Sequence, residues 1–153
     1  MKQATILSML LLVATTAIKA QSIKGNPQLG VRLGLPLGPT GRYFFDDANA
    51  VEGIVGLYNR TFSVTALYEH HFDLSALTTA GFGWYAGGGG HLGSRVIDGS
   101  TKFLAGIDGI AGLDYTFPKV PINLSLDWKP AIHFTTSSEL ADFAISVRYV
   151  LGR

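Results

Sequence analysis

The clearest pattern in this chain is a two-residue alternation of apolar and polar side chains between Ile122 and Lys129. Apolar side chains occupy every second position (Ile122, Leu124, Leu126 and Trp128), and polar ones occupy the positions between them (Asn123, Ser125, Asp127 and Lys129). Because successive side chains of a β-strand point to opposite faces, the segment predicts a strand with one apolar and one charged face. Several segments share this pattern, which is typical of a transmembrane β-barrel with a polar interior.

Eight such strands are predicted, separated by stretches rich in Gly, Pro, Asn, Asp and Ser that favour turns. They run over Leu29–Leu35, Arg42–Phe45, Val51–Tyr58, Thr61–His71, Phe82–Leu92, Ala105–Phe117, Ile122–Lys129 and Phe143–Leu151. An even number places both chain ends on one side of the membrane, as export into the periplasm requires. The predicted fold is an all-β, eight-stranded antiparallel up-and-down transmembrane β-barrel, with six or ten strands as alternatives.

The first twenty residues have the pattern of a secretory signal peptide. Lys2 supplies a positive charge, residues 4–18 are largely apolar, and Ala20 is a small residue before a cleavage point at Gln21. An uncleaved N-terminal anchor is the alternative. The predicted organisation is a signal peptide over 1–20 and an outer-membrane barrel domain over 21–153.

Composition narrows the function classes. Removal of the signal with Lys2 and Lys19 leaves ten basic residues against the 11 acidic ones, so no nucleic-acid partner is predicted. The chain has no Cys, which excludes disulfides, thiol chemistry and lipoprotein processing. No apolar run after Ala20 is long enough for a spanning helix, so only a closed barrel could carry this chain across a bilayer.

Ionisable side chains fall on the predicted inner faces of the strands. They are Arg32, Glu52, Glu69, Asp108, Asp114, Asp127, Lys129 and Arg148. The interior of an eight-stranded barrel is just wide enough for side chains to fill, and buried charges must pair. The 19 glycines suit such a packed lumen, because large inward residues need small neighbours. The pattern predicts a salt-bridged plug, with a small conductive or ligand-binding pore as the alternative.

Aromatic residues cluster near the predicted strand ends, as the interfacial belts of membrane barrels do. The predicted belt comprises Phe62, Phe82, Trp84, Tyr115, Phe117, Trp128 and Tyr149. With a periplasmic N-terminus, Phe62 and Trp128 lie at the external end and the other five lie at the periplasmic end. The external connections are predicted to be short.

No catalytic residue, metal site or cofactor is predicted. His70 and His71 are adjacent, so they point to opposite faces of a strand and cannot chelate one metal ion together. The run Gly87–Gly90 is not followed by the Lys-Ser/Thr pair and the helix of a phosphate-binding loop. It instead suggests a bend in the strand, or a part of the barrel wall against which bulky side chains pack. Inward serines (Ser63, Ser125 and Ser146), acids (Glu69 and Asp127) and His91 leave open a lipid-modifying enzyme on the same barrel.

Short motifs spread over almost the whole mature chain carry a family resemblance. They include Arg32-Leu-Gly, Gly38-Pro-Thr-Gly41, Val51-Glu-Gly-Ile54, Leu67-Tyr-Glu-His70, Trp84-Tyr-Ala-Gly-Gly88, Gly106-Ile-Asp-Gly-Ile110, Leu113-Asp-Tyr115 and Asn123-Leu-Ser-Leu-Asp-Trp-Lys-Pro130. The chain resembles small outer-membrane β-barrel proteins of the Bacteroidetes and, more distantly, the OmpA-type transmembrane domain. The resemblance implies a Gram-negative outer membrane, a charged lumen that acts as a plug, and no catalytic residues.

The sequence as a whole predicts a monomeric integral outer-membrane protein, structural or weakly permeable and without enzymatic activity. Its expected partners are outer-membrane lipid and, during biogenesis, the barrel assembly machinery. That machinery usually reads a terminal aromatic residue, whereas this chain ends Tyr149-Val-Leu-Gly-Arg153. A soluble exported barrel that binds an apolar ligand is a further alternative, which requires an apolar interior and a water-facing Arg148.

Overall fold

The structure, a computed structural model, describes residues 25–152 as one antiparallel β-sheet. Its strands are β1 (Pro27–Leu33), β2 (Gly38–Phe44), β3 (Asn49–Tyr58), β4 (Thr61–Asp73), β5 (Phe82–Ile97), β6 (Ser100–Thr116), β7 (Ile122–Trp128), β8 (Ala131–His133) and β9 (Phe143–Val150). No helix among these residues is long and apolar enough to cross a membrane. The predicted signal peptide lies outside the described residues.

The sheet closes on itself into a barrel. Each strand from β1 to β6 pairs with its sequence neighbour, and β9 pairs with both β7 and β1. β7 and β8 both pair with β6 and together form one barrel strand, interrupted at Lys129 and Pro130. The prediction of a closed, eight-stranded, antiparallel up-and-down barrel is therefore confirmed.

Two predicted turns are shorter in the structure. β2 begins at Gly38 rather than Arg42, so the predicted turn over 36–41 contracts to four residues. Pro39 is accommodated because it stands next to the start of its strand, where a missing backbone donor costs little. The β5–β6 hairpin extends to Asp98 and Gly99, whose φ angles of 49° and 76° fit the two-residue turn typical of tight hairpins.

The alternation of faces is clearest in β4. Ser63, Thr65, Leu67 and Glu69 point inward and are buried, whereas Phe62, Val64 and Tyr68 point outward and are about half exposed. Outward apolar side chains recur on every long strand, including Leu29, Val51, Leu92, Ile107, Leu126 and Ile145. The barrel thus has an apolar outer surface, the reverse of a water-soluble protein.

Glycines on β5 let the barrel wall curve tightly against β4. A Cβ atom at Gly89 would lie 1.9 Å from the Ala66 carbonyl oxygen, and one at Gly87 would lie 1.8 Å from that of Tyr68. Only residues without a Cβ fit these positions. Large inward side chains flank the run, Tyr85 on one side and His91 on the other.

The turn between β2 and β3 is organised by Asp46. Its carboxylate accepts hydrogen bonds from the Asn49 side chain at 2.7 Å and from the backbone N–H of Ala48 at 2.8 Å. These bonds stabilise the charged form, so the pKa of Asp46 is lowered, chiefly by the Asn49 side chain. The carboxylate therefore stays ionised at neutral pH and keeps this exposed turn closed.

Candidate functional site in the barrel lumen

The described chain ends lie at one end of the barrel, here called the proximal end, and the hairpin turns at 59–60 and 98–99 mark the distal end. Near the proximal end, Glu52 is shared by two buried guanidinium groups. Its carboxylate accepts hydrogen bonds from Arg148 Nη2 at 2.5 Å and from Arg42 Nη2 at 3.2 Å. The Thr40 hydroxyl donates to the same carboxylate. This group is a charge network with essentially no solvent access.

Arg42 extends the proximal network to two further acids. Its Nε lies 2.8 Å from Glu69 Oε2, and its Nη1 lies 3.6 Å from Asp114 Oδ2. The guanidinium also stacks over the Tyr85 ring, 4.6 Å from its centroid, as cation–π pairs do. Arg42 therefore links three carboxylates and an aromatic ring across the lumen.

A second group lies in the middle of the barrel around Arg32. Its Nη1 is 2.5 Å from Asp127 Oδ1 and its Nη2 is 3.2 Å from Asp142 Oδ2. The Tyr85 hydroxyl donates to the other oxygen of Asp127 at 3.1 Å. Close by, Tyr85 joins Ile54, Leu67 and Ile110 in a buried apolar cluster. The middle of the lumen is thus filled by side chains.

A third group forms a chain of side chains toward the distal end. Lys129 Nζ donates to Asp108 Oδ1 at 2.6 Å, and His91 Nδ1 lies 2.8 Å from Asp108 Oδ2. His91 Nε2 in turn lies 2.8 Å from His133 Nδ1. Beyond them, Arg95 Nη2 donates to Glu139 Oε1 at 2.8 Å.

This third group borders a cavity of about 520 Å³ at the distal end, here called the mouth cavity. Its polar lining includes Arg60, Ser63, Thr65, His91, Arg95, Lys129, His133 and Glu139. Apolar residues complete the wall, among them Leu35, Val96, Ile97 and Leu104. The cavity has the size and mixed lining of a small-molecule site.

The eight ionisable residues predicted to face inward all do so in the structure. Seven are buried, and the Asp114 side chain is 11% exposed. They fall into separate groups: Glu52, Glu69, Asp114 and Arg148 near the proximal end, Arg32 and Asp127 in the middle, and Asp108 and Lys129 toward the distal end. The ion pairs thus form three local clusters, and Tyr85 links the first two by stacking on Arg42 and donating a hydrogen bond to Asp127.

Several residues of these groups were not predicted. Arg42 is the most connected of them, and it was missed because the strand was begun at Arg42 instead of Gly38. With the correct start, alternation from Thr40 places Arg42 and Phe44 inward. His133 continues the inward alternation of Asp127, Lys129 and Ala131, because the register with β6 runs unbroken from β7 into β8, but the predicted strand ended at Lys129. Asp142 and Glu139 gave no such signal, because they lie in the connection after β8.

The predicted belt residues lie on the outer surface in two groups. Phe82, Trp84, Tyr115, Phe117 and Tyr149 are near the proximal end, and Phe62 and Trp128 are near the distal end. Trp84 stacks on Phe72 with ring centroids 4.1 Å apart, and Tyr115 meets Phe117 edge-on at 4.8 Å. Phe62, Trp84, Trp128 and Tyr149 are each between 38% and 50% exposed.

The serines left open as catalytic groups have other surroundings. Ser125 accepts a hydrogen bond from Arg148 Nη1 at 2.7 Å, and the Ser146 hydroxyl has no hydrogen-bond partner among residues 25–152. His70 and His71 point to opposite faces, as predicted: His70 bonds Asn49 and His71 bonds Glu69. Across the described chain, no group of three or more His, Cys, Asp or Glu is arranged to hold a metal ion.

Comparison with solved structures finds the crystal structure of the N-terminal β-barrel domain of Pseudomonas aeruginosa OprF. The two chains share 14% sequence identity with a TM-score of 0.61, and the match covers 82% of this chain and 95% of that one. The likeness is one of fold. It supports the predicted similarity to the OmpA-type barrel, whereas the resemblance to Bacteroidetes proteins stays a prediction. No family model matches the sequence, and no curated protein matches it.

Proposed function

We propose that this chain is an integral protein of the bacterial outer membrane, with a structural role and a lumen closed by buried ion pairs. The observation that carries the proposal is the burial of Arg32, Arg42 and Arg148 inside a barrel whose outer surface is apolar. The cleaved signal, the lipid contacts, the monomeric state and delivery by the barrel assembly machinery are parts of the same proposal. The OprF-like fold is consistent with this location.

The outer surface supports the membrane location. Leu126, Ile145 and Val147 face outward and are 52%, 53% and 36% exposed. In water such a surface would be a large aggregation-prone patch, whereas in a bilayer it meets lipid chains at no cost. The interior argues against the soluble apolar-ligand barrel, because Arg148 is buried against Glu52 rather than facing water.

The packing of the lumen supports a structural role over an open channel. Arg32, Arg42, Arg148 and Tyr85 are among the largest fully buried side chains, so they fill the space that a channel would need. Purified protein in a planar lipid bilayer is therefore expected to show no large, stable open-channel current. A steady conductance comparable to that of a porin would contradict the plug.

Heat modifiability tests the membrane barrel directly. The full chain, expressed with its signal and extracted in mild detergent, is expected to migrate differently on a denaturing gel before and after boiling. Folded barrels resist the detergent until heated because every backbone donor is paired around the closed sheet. Identical migration, together with solubility in the absence of detergent, would contradict the proposal.

A charged substitution on the outer face gives a quantitative test. Leu126→Arg is expected to destabilise the barrel by about 2–4 kcal/mol in lipid vesicles, because the guanidinium is forced toward the hydrocarbon. The measurement is a urea titration followed by tryptophan fluorescence. Leu77→Arg is the matched control, since Leu77 lies in the β4–β5 connection and is 82% exposed. Equal effects of the two substitutions would argue for an outer surface in water.

A further inference from the structure

The mouth cavity contains one polar atom that the protein leaves unpaired. His133 Nε2 is buried and has no hydrogen-bond partner among the described residues, although its ring lines the cavity. The His133 side chain is only 4% exposed, and the nearest oxygen of Glu139 is 3.9 Å away. Among the nine buried side-chain atoms without a hydrogen-bond partner in residues 25–152, His133 Nε2 is the one whose residue lines the mouth cavity, where a ligand could reach it. A ligand in the cavity would supply the missing partner.

The neighbours of His133 determine which hydrogen-bonding character Nε2 can take. Asp108, beside the Lys129 ammonium group, is an acceptor, so His91 Nδ1 carries a hydrogen. His91 Nε2 then accepts the hydrogen of His133 Nδ1. In the neutral pair, His133 Nε2 is therefore a bare acceptor. One added proton on Nε2 converts it into a charged donor without breaking any bond of the chain.

The charges around the cavity favour the binding of an anion, and the bound anion would in turn favour a proton on His133 Nε2. Lys129, Arg95 and Arg60 line the cavity, against a single lining acid, Glu139. Lys129 is engaged by Asp108 and Arg95 is engaged by Glu139, whereas Arg60 makes no ion pair within residues 25–152. An oxyanion in the cavity would accept from protonated Nε2 and from an arginine, the charge-assisted geometry that carboxylates and phosphates prefer.

We infer that the mouth cavity binds a small oxyanion, a phosphate or carboxylate group on a polar carrier of about monosaccharide size, with uptake of one proton at His133. The lining hydroxyls of Ser63 and Thr65 suit a polyol carrier. The inference goes beyond the proposed structural role, and it requires only that the barrel is folded. The same oxyanion could belong to a free solute or to the headgroup of a phosphorylated glycolipid.

Calorimetric titration of the folded barrel in detergent with glucose 6-phosphate tests the inference, with glucose as the neutral control. We expect binding of the phosphate ester alone, strengthening up to tenfold for each unit that the pH falls between about 8 and about 6.5, where histidine gains a proton while the ester, whose second pKa is about 6, stays largely a dianion. In lipid nanodiscs, a phosphorylated glycolipid and its dephosphorylated form replace the soluble pair. Binding in either format supports the site and identifies the source of the oxyanion, and binding in neither overturns it.

Three variants connect binding to the named atoms. His133→Gln is expected to weaken binding about tenfold, equivalent to about 1.4 kcal/mol, and to abolish its pH dependence. Glu139→Gln is expected to strengthen binding, because it removes the one acid that competes for His133 and Arg95. His70→Gln, on the outer face, is the control and should change nothing. Unchanged pH-dependent binding in His133→Gln would overturn the inference, and the heat shift of each variant reports folding separately.

Discussion

Glu52→Gln is expected to lower the free energy of unfolding by about 3–5 kcal/mol, the typical cost of removing one partner from a buried ion pair. The substitution keeps the size of the side chain and removes the charge that Arg42 and Arg148 share at 3.2 and 2.5 Å. Arg148 would then keep only the neutral partners Ser125 and Asn123, whereas Arg42 keeps Glu69 and Asp114. Urea titration in lipid vesicles, followed by tryptophan fluorescence, measures the loss.

The control for Glu52 is the half-exposed pair at the distal end. Glu139→Gln breaks the ion pair with Arg95. The Glu139 side chain is 37% exposed and the Arg95 side chain is 26% exposed, so water screens both charges and the loss of stability should be about 1 kcal/mol or less. A double variant of Glu52→Gln and Arg148→Gln is expected to cost less than the sum of the single variants, since each removes the other's unpaired charge. Equal effects of Glu52→Gln and Glu139→Gln would contradict a buried network.

Gly89→Ala is expected to destabilise the barrel by about 3 kcal/mol or more, at the upper end of overpacking costs. The new methyl group would lie 1.9 Å from the Ala66 carbonyl oxygen and 2.9 Å from Leu67 Cα. Both contacts are with the backbone of β4, so no side-chain rotation relieves them. The clash should appear as a lower urea midpoint and a smaller heat-shifted fraction on unboiled gels.

Gly53→Ala separates this clash from the general cost of replacing glycine in a strand. Gly53 points outward from β3, and a Cβ atom there meets nothing within 4 Å. Alanine restricts the unfolded chain more than glycine does, so this variant should be neutral or slightly more stable. If Gly89→Ala were as stable as Gly53→Ala, β4 and β5 would have to lie farther apart than described.

The fold could be predicted because each long strand carries its own signal. Alternation from Phe62 to Glu69 assigned both faces of β4 without any knowledge of its neighbours. Such local information fails where the strand is short or the turn residue is ambiguous. Gly38 and Pro39 resemble turn residues, yet they pair with Arg32 and Val31. The strand therefore begins four residues before its predicted start, and the late start concealed the inward position of Arg42.

Only part of the mouth cavity could be predicted by the same reasoning. His91 is in phase with the inward residues of β5, and His133 is in phase with Asp127 and Lys129, but Pro130 ended the predicted strand before His133 was reached. Glu139 reaches the cavity because its backbone bridges to Ala131 across an irregular connection. Periodicity gives the face of a residue within a strand, whereas the position of Glu139 depends on how a non-repetitive segment folds back.

The barrel seam between β1 and β9 has a consequence for the order of assembly. Arg32 lies 95 residues before its partner Asp127, and Glu52 lies 96 residues before Arg148. These ion pairs can therefore form only after most of the chain has been synthesised. Until β9 docks, β1 is an unpaired edge and Glu52 lacks one of its two guanidinium partners. Contacts of such separation form slowly, because the intervening chain must be ordered first. A nascent chain stopped before Phe143 would lack both the closing strand and the second guanidinium partner of Glu52, and the last strand supplies both in one step.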